Sequence, residues 1–205
     1  MEQYFEKNKL ELGIDEAGRG CLFGPVSVAC VIWSQKEHDP NIIIRDSKKM
    51  TSKQKNIAYE YIMKNAISVS HKFIDHDEID KTNILKSTIR GMHLCLDDIT
   101  KDNKVDTILV DGNQFDFYSD CNDDYINHMC VVDGDNKYKS IACASIIAKV
   151  NRDNYILQLC EENPILKQYD IHNNKGYGTA RHLAAIKEYG ITEWHRKTYG
   201  ICKNY

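Results

Sequence analysis

Asp15 and Glu16 stand side by side after the apolar-leaning stretch 10–14, and Gly18-Arg19-Gly20 follows almost at once. Adjacent carboxylates suit a hard divalent ion, because Mg²⁺ and Mn²⁺ prefer oxygen ligands. A Gly-Arg-Gly turn suits a polyanion: glycine lets the backbone come close, and arginine supplies a forked donor that is always charged. Two further acids have a telling context. Asp111 closes the apolar run 107–110 just before Gly112, and Asp135 precedes a long apolar helix in Val131-Val-Asp-Gly-Asp-Asn-Lys137. Four carboxylates beside an anion-binding turn point to metal-assisted chemistry on a phosphate-bearing substrate. Each acid also has a plainer reading. Asp111-Gly112 suits a turn, and Asp135 suits a helix N-cap or the positive end of a helix.

The periodicity of the chain says what must carry these acids. Residues 10–17 and 26–33 read as strands, the second apolar enough to be buried on both faces. The capping box Thr51-Ser-Lys-Gln54 opens a helix continued by Ile57, Tyr61 and Ile62. Residues 68–74 alternate as a strand, and 84–99 carry Leu85, Ile89, Met92 and Leu96 at helical spacing. Short strands are expected at 107–112 and 127–132. Residues 138–159 predict a helix whose first half is apolar nearly all round, hence central and buried. Thr179 caps a last helix ending at Lys187 or Tyr189, before Gly190. The class is α/β, with a central mixed sheet flanked by helices. Acids at strand ends and at a helix start are expected to meet along one sheet edge. Neighbours on a strand point to opposite faces, so Asp15 and Glu16 share an ion only if the strand bends or ends there.

Composition narrows the setting. The 205 residues fit one domain. No apolar run approaches the roughly 20 residues that span a bilayer. The start, residues 1–7, is too charged for a secretory signal, so the cytoplasm is the expected compartment. Eight cysteines without a Cys-x-x-Cys pair are expected to be reduced and structural. A net charge of −3 argues against indiscriminate coating of nucleic acid. Bases nevertheless cluster at Arg45, Lys48, Lys49, Lys53 and Lys55, and again at Lys137, Lys139, Lys149 and Arg152.

Several motifs occur in one order: Gly13-Ile-Asp-Glu-Ala-Gly-Arg-Gly20, Gly24-Pro-Val26, Asp46-Ser-Lys-Lys49, Val110-Asp-Gly112, Gly134-Asp135, Ala144-Ser-Ile-Ile-Ala-Lys-Val150 with Arg152-Asp153, Lys175-Gly-Tyr-Gly-Thr179 and His195-Arg196. From about Gly13 to about Tyr199 the chain resembles bacterial ribonuclease HII. The resemblance implies a ribonuclease H-like fold, with 1–205 as one catalytic domain and about 165–205 as a C-terminal helical extension that contacts substrate. It implies an endonuclease that cleaves the RNA strand of RNA–DNA hybrids and nicks 5′ of ribonucleotides embedded in duplex DNA, leaving a 5′-phosphate and a 3′-hydroxyl.

On that resemblance Asp15, Glu16, Asp111 and Asp135 match the catalytic acids, which bind two divalent ions, Mg²⁺ or Mn²⁺. Gly18, Arg19 and Gly20 match the turn that senses the ribose 2′-hydroxyl. Tyr177 matches the tyrosine that packs on the following sugar and reads the RNA-to-DNA junction, and Lys48 matches a phosphate contact. Arg152 and Asp153 are expected to form a structural ion pair. The expected partners are RNA–DNA hybrid and ribonucleotide-containing duplex DNA, with no membrane and a monomeric state. Cys21, Phe23 and Asn174 depart from the pattern, where proline, a small residue and histidine are common. A related family, ribonuclease HIII, has an added N-terminal domain, for which a first motif at Gly13 leaves no room; the end at Tyr205 leaves little for a clamp-binding tail. A non-catalytic hybrid-binding protein is the alternative from another class, and the four acids oppose it. A metal-dependent phosphatase would leave Gly18-Arg19-Gly20 and Tyr177 unexplained together.

Overall fold

The chain runs β1 (Glu11–Ala17), β2 (Val26–Ile32), α1 (Ser52–Asn65), β3 (Ser68–Ile74), α2 (His76–Lys81), α3 (Ile84–Thr100), β4 (Thr107–Asp111), β5 (Tyr118–Ser119), β6 (Tyr125–Val131), α4 (Gly134–Lys137), α5 (Lys139–Glu162), α6 (Ile171–Asn174) and α7 (Ala180–Tyr189). Short 3₁₀ turns lie at Ser47–Lys49, Pro164–Tyr169 and Gly200–Asn204. The computed structural model describes residues 1–34 and 39–205. The strands form one sheet in the order β3-β2-β1-β4-β6-β5. β1 pairs antiparallel with β2 and parallel with β4; β6 is parallel to β4. The mixed sheet read from the sequence is therefore present.

The residue pattern explains the layering. Every residue of β2 is buried, as a nearly all-apolar strand requires when both faces are covered. On one face α3 lays Met92, Cys95, Leu96 and Ile99 against Leu12, Ile14, Val28 and Cys30. On the other, α5 packs Ala142, Cys143, Ile146 and Ile147 against Ala29 and Val31. A third cluster joins Leu22 and Phe23, between β1 and β2, to Ile156, Leu166, Ile171 and Ile186. All eight cysteines are free, and six of them are buried. The elements not anticipated were α2, β5, α4 and α6. Each spans six residues or fewer, too short to show a period.

One half-buried histidine ties these layers together and gives a test. His71 of β3 lies with Nε2 2.8 Å from Ser27 Oγ. Ser27 donates its own proton to Ala148 O of α5 at 2.7 Å, so the ring must donate through Nε2–H. Burial pushes the His71 pKa down from 6.5 to about 4. The unfolded chain thus binds this proton more readily. Stability is complete above 6.5 and is lost as pH falls towards about 4. In His71→Gln the amide keeps a donor near Nε2 but cannot titrate. Its melting profile is expected to lose about 2 kcal/mol less than the parent across that window; parallel profiles would contradict the assignment.

Candidate active site

The candidate acids gather where the parallel strands end. The ladder between β1 and β4 stops at Ile14–Val110, while β1 stays paired with β2 through Asp15, Glu16 and Ala17. Of the two ways expected for the acids to share a site, a bend or an end of the strand, β1 does not end at them; the ladder to its β4 neighbour ends instead. This opens one side of β1, so both carboxylates line the same cleft of about 260 Å³, together with Asp111 at the tip of β4. Asp111 Oδ1 accepts a hydrogen bond from Gly134 N at 2.7 Å, which fastens the strand tip to α4. Asp135 in the first turn of α4 is buried and does not line the cleft; it stands behind Lys48, whose Nζ is 3.6 Å from its Oδ2. It is not the N-cap. That place belongs to Asp133, at φ +54°.

The electrostatics are those of acids crowded out of water. Burial pushes the Asp15 pKa well up, and the charges of Glu16 and Asp111 push it further; a hydrogen bond from Ser145 opposes them. Burial also raises Glu16, against Arg19, whose guanidinium lies 3.2 Å from Glu16 Oε1. Burial raises Asp135, Lys48 draws it down, and Asp111 and Asp46 raise it again. Burial lowers the Lys48 pKa, yet the surrounding carboxylates carry it above its usual value. Glu16 Oε2 and Asp135 Oδ2 are buried without a hydrogen-bond partner. Such oxygens carry a large desolvation cost that a cation would offset.

Gly18-Arg19-Gly20 forms the neighbouring wall, and Tyr177 lines the same cleft. Two fully buried arginines hold this wall from behind. Arg196 donates to Arg19 O and Gly24 O at 2.9 Å each. Arg152 donates to Pro25 O at 3.0 Å, Phe23 O at 2.9 Å and Lys175 O at 2.8 Å. The expected Arg152–Asp153 ion pair is absent, because successive helix residues diverge. Asp153 pairs with Lys149 at 2.6 Å instead. Arg152 therefore joins the loop before β2 to the loop that carries Tyr177. Asn174 has a structural use: its side chain donates to Tyr169 O and accepts from Gly176 N, each at 2.8 Å. His172 is not part of the cleft wall.

The ribonuclease HII family model matches residues 12–201. A ribonuclease HII from Bacteroides thetaiotaomicron is 42% identical over 198 residues, covering 97% of this chain and 93% of that one. The chain belongs to the ribonuclease HII family. It is a ribonuclease H-type hydrolase. A ribonuclease HII from Rickettsia bellii is 44% identical over 201 residues, with 96% and 94% coverage. Among solved structures, a chain of the PCNA:RNase HII complex from Archaeoglobus fulgidus aligns with a TM-score of 0.74 over 94% of this chain and 96% of that one, at 22% identity. Bst-RNase HIII in complex with Mn²⁺ aligns at 0.61 over 87% of this chain and 69% of that one, at 17% identity. These likenesses carry the ribonuclease H-like fold.

Some residues of this ribonuclease HII cleft were not assigned to it from the sequence, where Lys149 stood only in a basic cluster and Ser47 and Ser145 only within motifs. Ser47, Ser145 and Lys149 line it, and Ser47 Oγ and Ser145 Oγ are 3.0 Å apart. A serine set in the apolar run of a buried helix was the available signal for Ser145. Cys21, which departs from the family pattern, neighbours Tyr177, whose phenol is pushed up first by burial and then by that thiol. No helix among the described residues is long and apolar enough to cross a membrane.

Proposed function

We propose that this cleft is the catalytic centre at which the chain cleaves the RNA strand of RNA–DNA hybrids and nicks 5′ of ribonucleotides embedded in duplex DNA. The observation that carries the reading is that Asp15, Glu16 and Asp111, the Gly18–Gly20 backbone and the Tyr177 ring share one wall-to-wall cleft. Backbone groups of the turn meet the ribose 2′-hydroxyl, which separates RNA from DNA at the scissile position. The exposed Tyr177 ring packs on the next sugar and tolerates any base. Lys48 stands free enough to meet a phosphate, with most of its side chain in solvent. The C-terminal helical part, about 165–205, acts within the same catalytic unit, since its core residues pack on Leu22 and Phe23 beside the turn.

Asp15, Glu16, Asp111 and Asp135 are the residues that would hold Mg²⁺ or Mn²⁺. The donor set fits in kind, being all carboxylate, mutually repelling and partly unsatisfied. Among the described residues no group of three or more His, Cys, Asp or Glu side chains is already assembled to hold an ion, so loading is expected to draw the carboxylates inward. Two bound divalent ions supply Lewis-acid charge for an attacking water and the leaving 3′-oxygen. The solved Bst-RNase HIII complex with Mn²⁺ supports this reading by fold likeness.

The test is cleavage of a duplex containing one ribonucleotide, with Mg²⁺ or Mn²⁺ present and then chelated. A metal-dependent cut on the 5′ side is expected, leaving 5′-phosphate and 3′-hydroxyl ends. Binding without any cut, with either metal, would favour the non-catalytic hybrid-binding alternative. Tyr177→Ala is expected to lower kcat/KM about tenfold more on that duplex than on a long hybrid, because only the former presents a single junction. Equal losses on both substrates would refute the junction-reading role.

A further inference from the structure

Beneath Tyr177, two fully buried histidines touch: His182 of α7 and His195 beyond it, with their Nε2 atoms 3.0 Å apart. Two imidazoles share a hydrogen bond only if one brings a proton and the other a bare nitrogen. The outer ends decide which. His182 Nδ1 lies 2.9 Å from the Tyr177 carbonyl oxygen. A carbonyl only accepts, so Nδ1 carries the proton and Nε2 is bare. At the other end Thr192 N–H donates to His195 Nδ1 at 2.9 Å. That nitrogen is bare, so His195 Nε2 carries the proton. Each end, taken alone, gives the central bond the same direction. Thr192 N–H donates to His195, His195 Nε2–H donates to His182, and His182 Nδ1–H donates to the carbonyl of Tyr177. A second proton on either ring would set N–H against N–H.

We propose that His182 and His195 are positioning residues that fix the backbone of Tyr177, and through it the place of the ring over the sugar. The proposal rests on the reading of Tyr177 as the junction sensor. The loop has reason to need such a device. Lys175 and Gly176 just before it have φ of +53° and +86°, the left-handed region. The Tyr177 side chain is 44% exposed, so core packing alone does not aim it. Its carbonyl accepts from Thr179 N at 2.8 Å as well as from His182, and Arg152 holds Lys175 O. The edge of His195 meets Phe23, and both histidines meet Tyr169. These surroundings favour uncharged rings: burial pushes the His182 pKa down, and that of His195 down to about 3.

Side-chain ¹⁵N NMR of the unaltered protein at neutral pH tests the relay directly. His182 is expected as the Nδ1–H tautomer and His195 as the Nε2–H tautomer. The opposite tautomer at either ring, or an imidazolium, would overturn it. Kinetics on the single-ribonucleotide duplex and on a long hybrid test the consequence. In His182→Asn the amide sits where Nδ1 was and keeps a donor for the carbonyl; in His182→Gln it reaches towards Nε2 and withdraws that donor. The Gln variant is expected to lose about tenfold in the ratio of the two kcat/KM values, and the Asn variant less than about twofold. Equal losses in both variants, or on both substrates, would overturn the positioning role. Tyr177→Ala on the same substrates separates the failures. If it leaves the ratio unchanged the sensor reading falls, and if it moves the ratio while His182→Gln does not, the relay falls.

Discussion

Asp111→Asn is expected to cut hydrolysis by about a thousandfold while leaving the chain folded and no less stable. Asp111 Oδ1 accepts the Gly134 N–H, and an asparagine carbonyl retains that bond. The charge itself does the opposite of stabilising: it pushes up the pKa values of Asp15, Glu16 and Asp135. Its removal relieves repulsion among buried carboxylates and deprives an incoming cation of a ligand. In chelator the variant's melting temperature should therefore equal or exceed that of the parent, the usual exchange of stability for activity at a charged site. Undiminished cleavage would remove Asp111 from the reaction. A clearly lower melting temperature would show that the carboxylate is structural.

Periodicity made the framework of this site readable. A seven-residue apolar strand such as β2 and a helix such as α5 each repeat their pattern long enough to be recognised. Asp111 was readable because it closes an apolar strand, Asp135 because it precedes the long helix, and Asp15 and Glu16 because they stand together just before Gly18-Arg19-Gly20. What escaped was of two kinds. The ladder between β1 and β4 stops one residue before Asp15, and strand register is decided by pairing rather than by either strand alone. The other kind is recognition of backbone by side chain. Arg152 looked like half of an ion pair because Asp153 follows it, yet its partners are three carbonyls from two distant loops. Carbonyls belong to every residue, so no sequence pattern marks them. The histidine relay is hidden for the same reason, ending on the backbone of Tyr177 and of Thr192.

The two glycines of the turn make the second large prediction, because they are glycine for different reasons. Gly18 has φ +92°, and a Cβ there would be driven into Arg152, 2.6 Å from Cδ and 2.8 Å from Cζ. The guanidinium cannot yield, since it is buried and bonded to Pro25, Phe23 and Lys175. Gly18→Ala is therefore expected to destabilise the fold by about 3 kcal/mol, through left-handed strain and a broken buried network. Gly20 is exposed, and a Cβ there would meet nothing within 4 Å. Neither its φ nor its surroundings require glycine, which leaves close approach of a substrate to the backbone as the demand. Gly20→Ala should melt within about 0.5 kcal/mol of the parent yet lose about a hundredfold in cleavage of the single-ribonucleotide duplex. Melting curves and kinetics on the two variants decide the matter. Full activity in Gly20→Ala would take the turn out of ribose recognition, and unchanged melting in Gly18→Ala would show that Arg152 is not the rigid support described.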